Sequence, residues 1–309
     1  MRSARAIHDP ERGRHSDAAP RGRFAAAGAG IGLRLPHLIE AATRAPSVPW
    51  FEIHPENFLA NPHAAELLRS IAAKRPLAFH TVGLSIGSAD GVDREHLERL
   101  RRFAADVEPL LVSGHLAWST HGGTYLNDLL PLPYDEETLR VATANVHEVQ
   151  HALGRPYVVE NPASYVGFGS STLAEAQFLA ELAGATGCGL LCDVSNVYLS
   201  AANMGYDAYA YIDAFPAYAV AELHLGGFTR EPDAATPGRE ILIDTHAASI
   251  DGSVWDLYAH ALARFGPQPT LIEWDNELPP LATLIREAAH AERVALEVFA
   301  GERADASAR

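Results

Sequence analysis

The sequence predicts an α/β fold of the (β/α)8 class, a TIM barrel formed by a single domain. Short apolar runs rich in β-forming residues alternate with longer stretches of helical spacing, which is the pattern of parallel βα units. There are eight such runs, and no linker of domain-boundary character interrupts them. Eight strands in regular alternation with helices favour a closed barrel over an open sheet.

The eight runs are the predicted barrel strands. Each is short and is bounded by turn residues, as strands of a compact α/β domain are. They cover residues 29–35, 49–54, 76–82, 110–117, 156–161, 188–194, 219–225 and 269–275.

Between the strands, helical spacing predicts seven helices, over 62–74, 92–109, 135–153, 171–186, 206–215, 253–265 and 279–299. Asp135 and Ser171 stand at N-cap positions, and Gly154 and Gly266 stand where a helix should end. The longest irregular stretch, 226–252, follows the seventh strand. Because long loops within a compact fold are usually functional, it is a candidate active-site loop.

The two ends of the chain differ in composition from the barrel. Residues 1–27 scatter arginines among Ala, Ser, Gly and Pro without the apolar segment of a secretory signal, so we expect a disordered extension. The catalytic domain is predicted over 28–299, followed by a short C-terminal tail, 300–309. No run of about 18 apolar residues is present, so we predict no membrane span and a cytoplasmic location.

Composition limits the classes of partner. Hydrophobic residues make up 48% and charged residues 20%, which is the balance of a globular protein with a large core. The formal net charge of -15, without a stripe of Lys and Arg, argues against nucleic acid and favours cations. Cys188 and Cys192 fit neither redox nor zinc-knuckle spacing and are predicted to be buried core residues.

Almost every predicted strand ends in a side chain that can bind a metal ion or move a proton. All strands of such a barrel point the same way, so these side chains should meet at the mouth where this fold places its chemistry. The series is Arg34, His54, His80, His115, Glu160, Asp193, His224 and Glu273.

This convergence predicts a metal centre. A single histidine at a strand end, such as His54, is more often a hydrogen-bonded structural residue than a ligand. Burying several carboxylates and imidazoles together without a cation, however, costs many kcal/mol in desolvation and repulsion. Nitrogen and oxygen ligands suit iron, manganese or zinc, and the set is too large for one tetrahedral ion. Two or three ions with bridging carboxylates use it better.

Further polar residues flank the strands. Asp244 and His246, in IDTH, lie on the same side of an extended segment and could hold another ion, although this pattern alone is weak. Asn196 follows Asp193 by three residues and could reach the same site. The secondary site candidates are His54, Glu56, Asn57 and Asn161.

Eight motifs occur in the order of one known family: FEIHPENF, FHTVGLSIGS, GHLAWS, ENPASY, CDVSNVY, ELHLGG, IDTH and IEWDNELPPLATLIRE. Through them, residues 28–295 resemble the multinuclear non-heme iron-dependent oxidative enzymes, the family of the methanobactin-biosynthesis oxidase. The resemblance implies a xylose-isomerase-like barrel with two or three irons of mixed Fe(II) and Fe(III) state. It also implies O2 as co-substrate and a ribosomally made precursor peptide, often modified at cysteine, which a separate partner protein presents.

The resemblance assigns roles to individual residues. His80, His115 and Glu160 would hold one iron and act in catalysis, and Glu160 would bridge to a second ion. Asp193, His224 and Glu273 would complete the second site. A third ion would be served by Asn196, Asp244 and His246.

The sequence departs from the family pattern at two positions. The family often has a second histidine where this chain has Phe228, so the third site should be weak or empty. Ser195 stands in DVSN, where the commoner motif is DVNN.

The leading hypothesis is therefore an iron-dependent oxidase that uses O2 to modify a cysteine-containing peptide. A second is a metal-dependent isomerase or phosphoester hydrolase, because the same ligands serve Lewis-acid chemistry. The net charge and the lack of a phosphate-binding Gly-Lys motif argue against hydrolysis of nucleic acid. A third is a non-catalytic metal-binding or scaffold protein, against which the retention of all six core ligands argues.

Overall fold

The computed structural model describes residues 28–44, 46–234 and 236–307, and the predicted extension 1–27 lies outside them. Eight parallel strands close into a barrel, which confirms the predicted TIM fold. The strands of the described residues are β1 Ala29–Gly32, β2 Phe51–Ile53, β3 Leu77–Thr81, β4 Val112–His115, β5 Trp118–His121, β6 Thr124–Leu130, β7 Val158–Glu160, β8 Gly189–Asp193, β9 Val220–Gly226, β10 Thr229–Pro232, β11 Glu240–Ile243 and β12 Thr270–Glu273.

The order of strands around the barrel is β1-β2-β3-β4-β7-β8-β9-β12, and pairing of β1 with β12 closes it. Each barrel strand overlaps one of the eight predicted runs. The register places His115 of β4 beside Glu160 of β7, and Asp193 of β8 beside His224 of β9. Strand pairing therefore sets these four side chains next to one another near the carboxyl ends of the strands.

The helices of the described residues are α1 Leu38–Arg44, α2 Glu56–Leu59, α3 Pro62–Ala72, α4 Arg94–Val107, α5 Glu136–Leu153, α6 Glu175–Thr186, α7 Val194–Met204, α8 Ala208–Ala214, α9 Gly252–Phe265 and α10 Leu281–Ser307. Asp135 caps α5 by accepting a hydrogen bond from the Thr138 amide, as predicted. The prediction for Ser171 is wrong, because α6 begins only at Glu175. The Ser171 hydroxyl instead accepts a hydrogen bond from the Tyr134 amide in the preceding connection.

Three helices and two hairpins were not anticipated, and the helices are the short α1 and α2 and the longer α7. Helix α7 begins directly after β8, because the Asp193 carboxylate accepts a hydrogen bond from the Asn196 amide and so caps the helix. The pair β5–β6 follows β4, and the pair β10–β11 follows β9. The second hairpin lies within the stretch 226–252, so this candidate active-site loop is partly ordered into strands.

The last helix, α10, continues to Ser307 and includes most of the predicted tail 300–309. The sequence there, AGERADAS, contains several residues that favour helices. Among the described residues, no helix combines the length and the apolar character that crossing a bilayer requires.

The core fills the barrel and the layer between strands and helices. Cys188 and Cys192 are buried and free, which confirms that they are core residues. Near the mouth, the Tyr157 hydroxyl is 2.8 Å from the Thr81 hydroxyl, and both lie against Gly114. A side chain at Gly114 would overlap this pair, so glycine here allows β3, β4 and β7 to approach beside His115.

Candidate metal centre

Six acidic and imidazole side chains from six barrel strands converge at the carboxyl end of the barrel. All but His115 are buried, and His115 is 14% exposed. They are the six core ligands that the sequence predicts: His80, His115, Glu160, Asp193, His224 and Glu273.

The tightest group consists of His80, His115 and Glu160. The two Nε2 atoms are 3.1 Å apart, and Glu160 Oε2 lies 3.2 Å from that of His80 and 3.3 Å from that of His115. Ligands about 2.0–2.2 Å from one first-row ion are separated by about 3.0–3.5 Å. These three atoms therefore have the spacing of ligands to a shared cation.

Glu160 faces two groups at once. Its Oε2 points to the two histidines, whereas its Oε1 accepts a hydrogen bond of 3.3 Å from Asn196 Nδ2. Burial opposes ionisation, but His115 and His80 lower the pKa of Glu160 to about 2. An anionic carboxylate with divergent oxygens has the form of a bridging ligand.

The protonation of the two histidines shows how strongly this group favours positive charge. Burial opposes protonation of His80, but the Glu160 carboxylate raises its pKa to about 9. Burial lowers the pKa of His115 to about 4. The metal-free group therefore holds one proton at neutral pH, which a metal ion would displace.

The second group joins Glu160 to Asp193 and His224, with ligand atoms within 4.8 Å of one another. His224 Nδ1 also lies 3.1 Å from Glu273 Oε2. Burial and the neighbouring Glu160 raise the pKa of Asp193 well above its usual range. Carboxylates held this close together call for a cation or for protons.

The third group involves the loop after β11. His246 Nε2 lies 2.8 Å from Asp244 Oδ1, and His246 also groups with Asp193 and Glu273 within 4.8 Å. The backbone of His246 is left-handed, with φ of 45°. Non-glycine residues adopt this conformation infrequently, and here it directs the imidazole towards the barrel.

The residues around His246 define its position. A side chain at Gly226 would overlap the His246 ring, so glycine is required there. Ser195 holds Gly226 through hydrogen bonds to its carbonyl and from its amide, of 3.0 and 2.7 Å. Phe228 packs against Tyr198, with ring centroids 5.7 Å apart. It offers no ligand atom at the position where the family often has a second histidine.

Several buried polar atoms of the centre make no hydrogen bond, although buried polar groups in proteins almost always do. Asp193 Oδ2 and Asn196 Oδ1 have no partner, whereas Glu160 Oε2, Asp244 Oδ1 and His246 Nε2 face only other ligand atoms, in the ion pairs given above. Four are oxygens and one is an imidazole nitrogen, and all belong to the neighbouring groups just described. The donor set therefore fits metal ions of the kind that nitrogen and oxygen ligands select.

Two buried carboxylates beside the centre were missed by the sequence analysis. Glu52 and Glu222 are completely buried beneath His224, whose Nε2 lies 3.5 Å from Glu52 Oε2 and 3.7 Å from Glu222 Oε1. Burial and Glu52 raise the pKa of Glu222 to about 7. A glutamate inside an apolar strand, as in FEIH and AELH, is the sequence signal that could have revealed them.

Arg34 supplies the fixed positive charge of the centre. It donates hydrogen bonds to Asp275, another acidic residue that the sequence analysis missed, and to Glu273 Oε1 at 3.3 Å. Burial opposes ionisation of Asp275, but Arg34 lowers its pKa below the usual range. His54 lies 3.2 Å from Arg34 Nη2 and forms a further cluster with Glu273 and Asp275.

The other secondary candidates lie outside these ligand groups. Glu56 accepts hydrogen bonds from the Val82 and Gly83 amides, both 3.1 Å, and Asn57 is exposed on α2. Asn161 exchanges hydrogen bonds of 2.9 and 3.2 Å with the backbone of Asp193. Asn161 thereby ties β7 to β8 and positions Asp193.

Comparison with known proteins finds relatives of similar sequence and solved structures with the same fold. A UPF0276 protein of Vibrio vulnificus is 47% identical over 264 residues, which cover 85% of this chain and 90% of the relative. A UPF0276 protein of Bordetella pertussis is 46% identical over 261 residues, 84% of this chain and 89% of the relative.

Solved structures share the fold at low identity. An L-ribulose 3-epimerase superposes with a TM-score of 0.58 at 17% identity, covering 91% of this chain and 97% of the other. A xylose isomerase-like TIM barrel protein from Mycobacterium smegmatis, in complex with magnesium, gives 0.54 at 13% identity, with coverage of 85% and 88%.

The family match spans the whole barrel. Residues 28–296 match the family described as RiPP precursor modification enzyme MbnB/TglH/ChrH, in which RiPP denotes a ribosomally synthesised and post-translationally modified peptide. The match includes every strand and all the ligand groups at the mouth. The chain therefore belongs to the MbnB/TglH/ChrH family of RiPP precursor modification enzymes.

Proposed function

We propose that this protein is a multinuclear iron-dependent oxidase that uses O2 to modify a ribosomally synthesised peptide at cysteine. The observation that carries the proposal is the overlap of the ligand groups. Glu160 and Asp193 each belong to two of them, and Glu273 joins the group around His246. Shared ligands of this kind suit two or three neighbouring ions better than one isolated ion.

Charge supports more than one ion. Glu160, Asp193, Glu273, Asp244 and Asp275 bring five carboxyl groups to the mouth, whereas Arg34 is the cation that pairs with Glu273 and Asp275. Repulsion among buried carboxylates is costly unless cations or protons balance it. Two or three metal ions would supply that balance.

Iron suits the donor set. The ligand groups in the described residues contain histidine and carboxylate and no cysteine, which fits iron, manganese or zinc rather than copper(I). Mixed Fe(II) and Fe(III) ions would bind the substrate thiolate and supply O2-dependent oxidation. The choice of iron and of O2 rests on the family resemblance.

Neighbouring side chains orient the group of His80, His115 and Glu160, and this group leaves coordination positions of a bound ion unfilled. His80 Nδ1 lies 2.8 Å from the Ser113 hydroxyl, which in turn donates to the Phe79 carbonyl. His80 Nδ1 therefore donates to Ser113, and its Nε2 faces Glu160 and would bind the ion once the ion displaces its proton. Three protein ligands do not fill the six positions common for iron, and His115 is the partly exposed one. Substrate would therefore approach from the side of His115.

The substrate is proposed to be a precursor peptide that contains cysteine, presented by a separate partner protein in the cytoplasm. A net charge of -15 offers no long-range attraction to an acidic peptide. Binding through a partner would bring such a peptide to the mouth without relying on charge.

The test uses iron-loaded protein, any partner protein, and a candidate precursor peptide, and follows the peptide mass under air and under nitrogen. We expect a mass change under air alone, which a Cys→Ser peptide and Glu160→Gln abolish. Glu181→Gln, the same change at an exposed position of α6, is the matched control that should keep activity.

Other results would favour the alternatives. A mass change that is equal without O2, or that survives Cys→Ser, contradicts the oxidase. Turnover supported by zinc without O2 would favour an isomerase or hydrolase, and no turnover with any metal would favour a non-catalytic metal-binding protein.

A further inference from the structure

Exposed apolar side chains are concentrated on one side of the barrel mouth. Seven of the thirteen large hydrophobic side chains that are exposed in the described residues lie there. We name this surface the apolar rim, and it consists of Tyr125, Leu126 and Leu129 on β6, Tyr165, Val166 and Phe168 in the loop 161–174, and Met204 at the end of α7.

The parts of the apolar rim are contiguous. Strand β6 belongs to the hairpin after β4, the loop 161–174 follows β7, and these two barrel strands are neighbours. The Tyr134 carbonyl, just beyond the hairpin, accepts hydrogen bonds of 2.9 and 3.0 Å from the Thr172 and Leu173 amides. Met204 lies against Gly167 of the same loop. The three segments therefore form one continuous side of the mouth, with Tyr125 and Leu129 on one face of β6 and Leu126 on the other.

The apolar rim reaches the metal centre at two points. Leu129 and His115 line the same small cavity. The Tyr165 hydroxyl accepts a hydrogen bond of 2.8 Å from the Asp244 amide. His115 and Asp244 are 14% and 22% exposed, respectively, whereas Glu160 and Asp193 are buried. A molecule that covers the rim therefore also covers the accessible side of the ligand cluster.

Charge distinguishes the apolar rim from the loop 227–251. Within 118–130, Asp128 is the one acidic residue and there is no Lys or Arg, and within 161–174 there is no charged residue. The loop 227–251, which meets the rim where the Asp244 amide donates to Tyr165, carries Arg230, Glu231, Asp233, Arg239, Glu240, Asp244 and Asp251. At Tyr125 the rim borders charged side chains, because Tyr125 lines a cavity with Glu56, Asp90 and Arg99. The rest of the rim is apolar and uncharged in its own sequence, and in a protein of net charge -15 such a surface selects a neutral, apolar partner.

The backbone of the hairpin favours an extended partner. In the described part of the chain, β6 pairs with β5 alone, so its other edge can accept a further strand. An added strand gains backbone hydrogen bonds from the edge, and its side chains alternate between the two faces.

We propose that the apolar rim binds the substrate peptide as an extended, uncharged segment, with apolar residues on either side of the residue that enters the metal centre. The inference rests on the proposed function for the existence of a peptide substrate. It adds the chemical class of the flanking sequence and the surface that selects it.

The test measures binding without turnover. Fluorescein-labelled 11-residue peptides carry a central Cys flanked by Leu and Phe, by Glu, or by Lys, and anisotropy is recorded with iron-loaded protein under nitrogen. A version of the Leu/Phe peptide with Ser at the centre separates rim binding from bonding of the thiol to iron. Variants Leu129→Glu and Phe168→Glu introduce charge into the rim. Ile39→Glu on α1 and Leu296→Glu on α10 are matched controls at exposed apolar positions, 68% and 66% exposed.

We expect the Leu/Phe peptides to bind at least ~10-fold more tightly than the charged ones, in keeping with burial of apolar side chains. The rim variants should lose at least ~10-fold of that affinity, and the controls less than ~2-fold, with unchanged thermal melts because all four side chains are exposed.

Equal binding of apolar and charged peptides, or equal losses in rim and control variants, would overturn the inference. Rim variants that keep peptide affinity but lose the partner protein would assign this surface to the partner instead, and would also overturn it. Because binding is measured without turnover, apolar peptide binding with no O2-dependent mass change would count against the proposed function alone. An O2-dependent mass change that is insensitive to the rim variants would count against this inference alone.

Discussion

Replacement of Glu160 by glutamine should remove two metal ions rather than one. The substitution keeps the size of the side chain and an oxygen that can accept from Asn196, but it removes the negative charge. One oxygen of Glu160 lies 3.2 and 3.3 Å from the two histidine nitrogens, and the same carboxylate belongs to the group of Asp193 and His224. The change therefore weakens both groups at once.

The size of the effect follows from the burial of the site. Glu160 is 1% exposed, so little solvent screening reduces its interaction with a cation. Removal of one partner of a buried charge pair costs about 3–5 kcal/mol. At about 1.4 kcal/mol for each tenfold, the affinity of each ion should fall by roughly a hundredfold or more. His246→Gln should affect the third group and spare the other two.

The assay is the iron content of each variant after anaerobic loading and desalting, with circular dichroism as the check on folding. Glu160→Gln should retain at most about one iron for each chain, and His246→Gln about two, because bridging carboxylates hold adjacent ions together. Equal losses in the two variants, or full retention by folded Glu160→Gln, would refute the shared-ligand reasoning.

Three further predictions concern protons, packing and stability. Burial opposes protonation of His80, but Glu160 raises its pKa to about 9, so a metal ion must displace the proton of His80 in order to bind. The iron affinity, measured by chelator competition, should therefore rise about tenfold for each pH unit between pH 6 and 8. An affinity that does not change with pH would contradict this. Gly226→Ala should displace the overlapping His246 ring and lower occupancy of the third group, whereas Gly169→Ala, which meets no neighbouring atom within 4 Å, should leave the metal content unchanged. Burial raises the pKa of Glu175 from 4.5 to about 7, so the stability that its protonated form contributes is complete below about pH 4.5 and is lost as the pH rises through 7. In urea titrations, Glu175→Gln should increase the free energy of unfolding at pH 8 by about 3 kcal/mol relative to the parent and by almost nothing at pH 4.5. Glu181→Gln, at an exposed position of the same helix, should change it at neither pH, and a gain for Glu175→Gln that does not depend on pH would contradict this prediction.

The barrel could be predicted from the sequence because long helices separate its strands, so that strand and helix patterns alternate regularly. Each of the eight runs overlaps a barrel strand, and Asp135 caps its helix as expected. The hairpins were missed because their residues, such as TYLNDLL in β6, are exposed and lack the apolar pattern of a barrel strand. Helix α7 was missed because Asp193 ends a strand and also caps the helix, so no loop separates the two elements.

The sequence predicted those members of the ligand cluster that lie at the ends of barrel strands. His80, His115 and Glu160 end or nearly end their strands, and parallel topology brings them together. Glu52 and Glu222 were not found, because each lies inside a strand and was counted with its apolar run. Their contact with His224 depends on which face of the strand points into the barrel, and the register that decides this is a tertiary property.

Phe228, in place of a family histidine, predicts that the third metal site is weak. The occupancy of that site also depends on other residues around it. Phe228 packs against Tyr198, but Asp244, His246 and Asn196 still place ligand atoms around the third group. The number of ions therefore depends on whether these side chains and water suffice without a further histidine. The identity of residue 228 alone does not give the affinity of the third site for a metal ion.

Diffraction from anaerobic, iron-loaded crystals on both sides of the iron absorption edge would show whether the clustered side chains hold neighbouring irons. We expect at least two anomalous peaks about 3.5–4 Å apart, with Glu160 contacting both at about 2.0–2.2 Å. The first should lie among His80, His115 and Glu160, and the second among Glu160, Asp193 and His224. A single peak, or peaks away from Glu160, would contradict this expectation.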